Sequence, residues 1–260
     1  MTGMDSVWTQ ELDGAVAVLT LDRPPLNLVL HENIVEMGEK LAALRENPDV
    51  RAIILTGTGS SFIGGADITQ FEVLNPATAK FGLAAGQRVL RDMETLEKPV
   101  IASVNGFAFG GGCEIALACD IRLCSEEARF GQLEINYGIM PGWAGTQRLT
   151  KIVGLGRAKD LVLTGRIVEP QEALMMGLVS QVVPADELME KAKKVAHILA
   201  NKAPVAMALA KELVNAASEC SIPLGGAFEA AACAITMGTD DCLEGVRSFI
   251  EKRKPEFKGK

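Results

Sequence analysis

Apolar positions along this chain follow two rhythms that take turns. Alternating or β-branched runs fall at 15–21, 52–56, 100–104 and 121–124, and each reads as a strand. Between them, 31–45, 77–96 and 115–118 carry helical or helix-compatible spacing. Such interleaving favours an α/β fold of stacked right-handed β-α units over a sandwich or a helical bundle. No tandem sequence repeat accompanies it. From about Asp186 onward only helical patterning remains, at 186–200, 204–217, 223–237 and 240–252, with Pro204 and Pro223 suited to opening turns. The expected division is therefore a core over 1–200 and an all-helical region over 201–260. The alanine-rich stretch 225–235 would expose much apolar surface on a lone chain. Burial against another subunit and packing on the chain's own body fit that pattern equally.

Composition narrows the functional classes. A chain of 260 residues that is 48% hydrophobic but only 5% aromatic, with 26 glycines, suits closely packed small elements. Its net charge of −7 argues against a general nucleic-acid or anionic-membrane binder, while leaving room for a local basic patch. The cysteines at 113, 119, 124, 220, 233 and 242 form no Cys-x-x-Cys pair and are expected to be reduced. His31 and His197 are the only imidazoles, which disfavours a histidine metal site or a serine–histidine triad, and no metal is expected. The amino terminus lacks a basic-then-apolar leader pattern and no apolar run is long enough for a bilayer, so a soluble cytoplasmic protein is the expectation.

The chemistry concentrates in Asn105-Gly-Phe-Ala-Phe-Gly110-Gly-Gly-Cys-Glu114 and in Phe130-Gly-Gln-Leu-Glu134. The three glycines fit neither the Gly-x-Gly-x-x-Gly spacing nor a phosphate loop, but they permit very close approach to the backbone. If Gly111 or Gly112 opens a helix, its bare N–H groups can hold a developing negative oxygen, and Glu114 falls in the first turn, where the helix dipole favours a carboxylate. Glutamate is also simply a good first-turn residue. Glu134 follows a short β-like segment at 129–131, and the loop 141–146 leads into a helix at Thr146. Two glutamates beside one apolar ligand repel when both are ionised, so one holds its proton more tightly and the pair provides one acid and one base.

Two further segments have plain structural readings as well as functional ones. Gly64-Gly-Ala-Asp67-Ile-Thr-Gln70 fits a glycine turn that presents a backbone N–H outward, with Asp67 and Gln70 as a variant helix cap, or an ordinary turn into a helix. Glu251-Lys-Arg-Lys254 is a basic cluster that could meet a phosphate, or a solvated helix end.

In this order the segments Asp22-Arg-Pro, Gly64-Gly-Ala-Asp-Ile68, Lys98-Pro-Val-Ile-Ala-Ser-Val-Asn-Gly106, Gly110-Gly-Gly-Cys-Glu114, Phe130-Gly-Gln-Leu-Glu134, Pro141-Gly-Trp-Ala-Gly-Thr-Gln-Arg148 and Phe249-Ile-Glu-Lys-Arg-Lys254 resemble the crotonase superfamily, in particular enoyl-CoA hydratases, from about Val16 to Lys258. The resemblance implies a crotonase-like spiral of ββα units, a carboxyl-terminal helical trimerisation region, and a homo-trimer or a hexamer of two trimers. It implies an acyl-CoA substrate in lipid metabolism, with coenzyme A as part of the substrate and no separate cofactor. By similarity, Ala66 and Gly111 supply the oxyanion-hole N–H groups, Glu114 and Glu134 are the catalytic glutamates, and Gly142 helps hold the reacting water. Gly64, Asp67, Ile68, Trp143, Phe249 and Lys252 are the implied substrate-binding positions, Lys252 reaching the CoA from a neighbouring subunit.

Three positions depart from the family's common pattern. Leu133 replaces a proline, Trp143 stands where many members have a small residue and would narrow the acyl pocket, and Thr69 replaces a lysine that contacts CoA. The leading expectation is reversible hydration of a 2-enoyl-CoA. An enoyl-CoA isomerase is the alternative on the same fold, though isomerases commonly use one acid–base residue. A hydrolase, dehalogenase or decarboxylase would use the same scaffold. A non-catalytic RNA-binding role is disfavoured by the acidic balance.

Overall fold

A computed structural model describes residues 6–69 and 75–260. A hairpin of β1 (Trp8–Asp13) and β2 (Val16–Leu21) opens the fold. The short β3 (Leu28–Val29) leads into α1 (His31–Glu46). Next come β4 (Ala52–Gly57), β5 (Ser61–Ile63), β6 (Gly65–Ala66) and α2 (Pro76–Glu94). The strand-strand-helix order recurs in β7 (Val100–Val104), β8 (Phe107–Phe109) and α3 (Gly111–Ala118). It recurs again in β9 (Ile121–Ser125) and β10 (Arg129–Gly131), then a 3-10 turn at Glu134–Tyr137 and α4 (Gly145–Val153). After α5 (Leu155–Thr164), α6 (Pro170–Met175) and β11 (Gln181–Val183), four helices follow: α7 (Leu188–Ala200), α8 (Pro204–Ala216), α9 (Ile222–Met237) and α10 (Asp240–Glu251).

In the pairs β4-β5, β7-β8 and β9-β10 the first strand joins a large sheet and the second joins a small one. The large sheet runs β1-β2-β4-β7-β9-β11 and is parallel apart from the opening hairpin. The small sheet is β10-β8-β5, all parallel. Alternating side chains send Ala17, Leu19, Leu21, Ile53 and Leu55 into one core with α1, while Val16, Val18, Ala52 and Ile54 meet α7 on the other face. The α7 stripe is Leu188, Ala192, Ala196 and Ala200, every fourth residue, so one helix face closes the sheet.

The small sheet positions the chemistry. Its strands are parallel, Phe109 beside Gly131 and Ile63 beside Ala108 after a one-residue shift, so the segments leaving their carboxyl ends emerge together. Gly64–Ala66 follow β5, Gly110–Glu114 follow β8, and Gln132–Glu134 follow β10. The Gly110 N–H donates to the Gly131 carbonyl at 2.8 Å and ties two of these segments to each other. Three-residue strands carry little readable periodicity, so of this sheet only β10 showed in the sequence, as the β-like segment 129–131, whereas β2, β4, β7 and β9 of the large sheet were readable.

The last helices differ from the rest. Lys211 on α8 docks them by donating to the carbonyls of Met93 and Lys98 and to Asp120 Oδ2. On α9, however, no residue is buried, and Ile222 is 91% exposed. Packing on the chain's own body, one of the two expectations for 225–235, is limited mainly to contact with α8 and α10 and buries no residue of α9.

Candidate active site

Glu114 is 2% exposed in the first turn of α3, as the glycine-opened helix requires. Burying a carboxylate is costly unless its oxygens are satisfied. Here Oε1 accepts from the Trp143 and Gly145 N–H groups, both at 2.7 Å. Burial pushes its pKa up, while these two N–H groups and the Arg148 guanidinium pull it back. The loop 142–145 thus serves as a backbone cradle that fixes one oxygen and aims the other.

Glu134 opens the 3-10 turn after β10 and has a different environment. Its pKa is pushed up to about 7, first by burial and then by the charge of Glu114, its own N–H opposing. Burial thus raises both carboxyls, and Glu134 carries in addition the repulsion of the Glu114 charge. The Glu134 carboxylate lies against the α-carbon of Gly110, where an added Cβ would come 3.1 Å from Oε1. Gln132 partners Glu134. It is 1% exposed, and with its amide nitrogen turned toward Glu134 it donates to Oε1 and Oε2 at 3.2 and 3.3 Å. The same end of that amide also approaches Gly145, whose N–H holds Glu114. Gln132 lay inside the motif carrying Glu134, yet its role depends on burial and was not legible from residue type.

The glycine run has three separate reasons to exist. Gly110 adopts φ 49° and makes room for Glu134. Gly111 abuts the Trp143 ring, and Gly112 packs on the Ile63 carbonyl, 1.9 Å from where a Cβ would sit. The close approach expected of a ligand is made at these α-carbons by the protein itself. Gly111 is also the first residue of α3, so its N–H has no intrahelical acceptor and points out of the helix. On the neighbouring β3-β6 ribbon the Asp67 N–H donates to the Val29 carbonyl. Since strand N–H groups alternate in direction, the Ala66 N–H faces away from β3.

Other expected contacts have mixed placements. Gly64 donates to the Leu26 carbonyl and shapes the turn before Ala66. Asp67 pairs with Arg23 at 3.3 Å and accepts from the Thr69 N–H and hydroxyl, which hold its carboxyl below the usual range. Its expected cap partner, Gln70, lies outside the described residues. Ile68 is half-exposed beside this turn. The Gly142 carbonyl is taken by Gln87 Nε2 at 2.8 Å, leaving its N–H on the Glu114 side. Trp143 is buried between Gly86 of α2 and Gly111; an added Cβ on Gly86 would lie 2.2 Å from the indole nitrogen. Phe249 and Lys252 sit exposed at the end of α10, which packs on α9, so the single chain does not bring them to the glutamates. In the neighbouring basic cluster, Arg253 is bound by Glu244 and Glu251.

A carboxylate pair beside outward-facing N–H groups is an arrangement that can move protons and hold a developing oxyanion. The chain belongs to the enoyl-CoA hydratase/isomerase family, whose model matches residues 11–260. It is 46% identical over 249 residues to a short-chain-enoyl-CoA hydratase of Clostridium acetobutylicum, with 95% of each chain covered. It is 41% identical over 249 residues to a crotonyl-CoA hydratase of Syntrophomonas wolfei, covering 95% of this chain and 96% of the other. The solved enoyl-CoA hydratase of Bacillus anthracis superposes with a TM-score of 0.94 at 36% identity, covering 98% of this chain and 100% of that one. The ββα spiral described above is accordingly the crotonase fold.

Proposed function

We infer that the chain is an enoyl-CoA hydratase, a hydro-lyase adding water reversibly to a 2-enoyl-CoA to give a 3-hydroxyacyl-CoA, with Glu114 and Glu134 moving the protons. The observation that carries this reading is the glutamate pair at the open amino end of α3, one buried and one half-buried, both raised by burial. Glu114, fixed through Oε1, takes a proton from water as the water oxygen bonds to C3. The π electrons move toward the thioester, and the resulting enolate oxygen accepts from the Ala66 and Gly111 N–H groups. One such donor is worth about 3–4 kcal/mol in the transition state. Glu134 then gives its proton to C2, completing the addition. The return direction reverses each step.

Proton transfer and backbone donors supply all the chemistry in this scheme, so no cofactor beyond the CoA of the substrate is called upon. Trp143 against Gly111 occupies space that a long acyl chain would need, which favours short enoyl groups. The two curated relatives above are named for short-chain and crotonyl substrates, in keeping with that preference. The 201–260 region serves as the subunit contact of a homo-trimer or hexamer, a reading supported by the uncovered apolar residues of α9. In that assembly Phe249 and Lys252 meet the CoA bound to a neighbour. Six free cysteines suit the reducing cytoplasm. None of the described helices is long and apolar enough to cross a membrane.

A direct assay tests the reading: purified protein with short, medium, long and aromatic enoyl-CoAs, followed by loss of the conjugated thioester absorbance with chelator present. Fastest turnover of crotonyl-CoA is expected. No hydration of any enoyl-CoA would contradict it.

A further inference from the structure

The cradle that holds Glu114 is itself held from outside, by one face of α2. In the peptide joining Gly142 to Trp143, the N–H donates to Glu114 and the carbonyl accepts from Gln87 of α2 at 2.8 Å. In the next peptide the Trp143 carbonyl accepts from Arg148 Nη1. Arg148 is in turn clamped by Glu94, also on α2, through Nε to Oε1 at 2.6 Å and Nη2 to Oε2 at 2.7 Å. This two-bonded fork is partly buried, Arg148 keeping 11% of its side-chain exposure. Gln87 and Glu94 lie seven residues apart and so share a face of α2, and Leu83 and Gly86 on that face touch Gly142 and Trp143.

We propose that Gln87 and the Arg148–Glu94 pair are positioning residues for the reaction: they anchor the 142–145 loop to α2 so that its N–H groups aim Glu114 at the water. The inference rests on Glu114 as the water-activating base. Neither Gln87 nor Arg148 touches the reacting atoms. Each grips the carbonyl side of a peptide whose neighbouring N–H fixes the base, and a base displaced by an ångström loses about a hundredfold in rate. Arg148 has a second effect, because its cation draws the Glu114 carboxyl back down against burial, while the adjacent Cys113 thiol is pushed up to about 12 and stays neutral.

The two anchors are separable. Gln87→Leu keeps every charge, so kcat for crotonyl-CoA hydration is expected to fall about tenfold with KM within about twofold and the acid limb of the pH profile in place. Arg148→Met removes a cation as well, so kcat is expected to fall about a hundredfold and the acid limb, which reports ionisation of the base, to rise by about one pH unit. If Arg148→Met does not fold, Arg148→Lys keeps the charge without the fork and is expected to lose kcat with the limb in place. Both anchors are required by the proposal. Wild-type kcat in a folded Gln87→Leu protein overturns it, and so does a folded Arg148→Met protein whose limb stays put, or losses confined to KM or Tm. Glu114→Gln is measured alongside: an active Glu114→Gln enzyme removes the base assignment itself, whereas a crippled Glu114→Gln beside unaffected anchor variants removes only the anchoring.

Discussion

The two glutamates make an instructive pair because they arise from equivalent places in the fold and receive opposite treatment. Both follow strands of the small sheet. Glu114 sits inside a wholly buried helix with one oxygen fixed by two backbone N–H groups. Glu134 begins a 3-10 turn with no buried residue, and exposed Ile135 and Tyr137 follow it. Held firmly and given N–H donors and a nearby cation, a buried carboxylate remains usable as a base. Given burial without comparable backbone donors, its partner's carboxyl is pushed up to about 7 and, in the proposed mechanism, serves as the acid. The difference lies in local backbone, not residue type.

Removing each carboxyl tests the comparison hardest. Glu114→Gln is expected to lower kcat near the top of the about 10²–10⁴ range of acid–base catalysis, and Glu134→Gln nearer the bottom, with CoA binding intact in both. Steady-state kinetics with calorimetric titration of a CoA ligand would check this, and near-normal turnover in either variant would break the pairing. Gly111→Pro deletes one proposed oxyanion donor and should cost about 10²–10³ in kcat. Gly111→Ala is its control, since it adds bulk against Trp143 but keeps the N–H; equal losses in both would assign the effect to crowding.

Smaller effects sharpen the picture. Trp143→Ala should improve longer enoyl-CoAs relative to crotonyl-CoA by about 10–200-fold in kcat/KM, and also lower stability by about 3–5 kcal/mol because the ring is part of the core. An unchanged order of substrates would leave Trp143 purely structural. The smallest effect is on stability against pH. Glu134 has a folded pKa of about 7, above its ordinary 4.5, so the native state binds the extra proton and loses stability as pH rises between those values. Glu134→Gln should therefore raise Tm more at pH 8 than at pH 5, by the equivalent of about 1–3 kcal/mol.

Much of this was legible in the sequence, for identifiable reasons. Four strands of the large sheet, β2, β4, β7 and β9, carry β-branched or alternating runs long enough to show, while β1 and β11 did not, and α7 to α10 were readable from spacing and proline placement to within a few residues. Glu114 and Glu134 stood out through the glycine run and the recurrence of a glutamate after a short β-like segment. What was hidden depends on space. β5 and β8 are too short to pattern, yet they bring Ala66 and Gly111 to one end of the small sheet. Gln87 and Gly142 meet across 55 residues of chain, and Arg148 and Glu94 across 54. Gly86 looks like an unremarkable helix glycine until Trp143 is found against it.

The central claim is that one carboxyl of the pair remains protonated near neutrality while the other is available as a base. Infrared difference titration reads this directly, by following the carboxylic-acid carbonyl band in wild type and assigning it by its loss in Glu134→Gln. The account predicts a band that titrates at about pH 7 and belongs to Glu134. A band that vanishes by the ordinary carboxylate range, or one that survives in Glu134→Gln and is lost in Glu114→Gln, would contradict it.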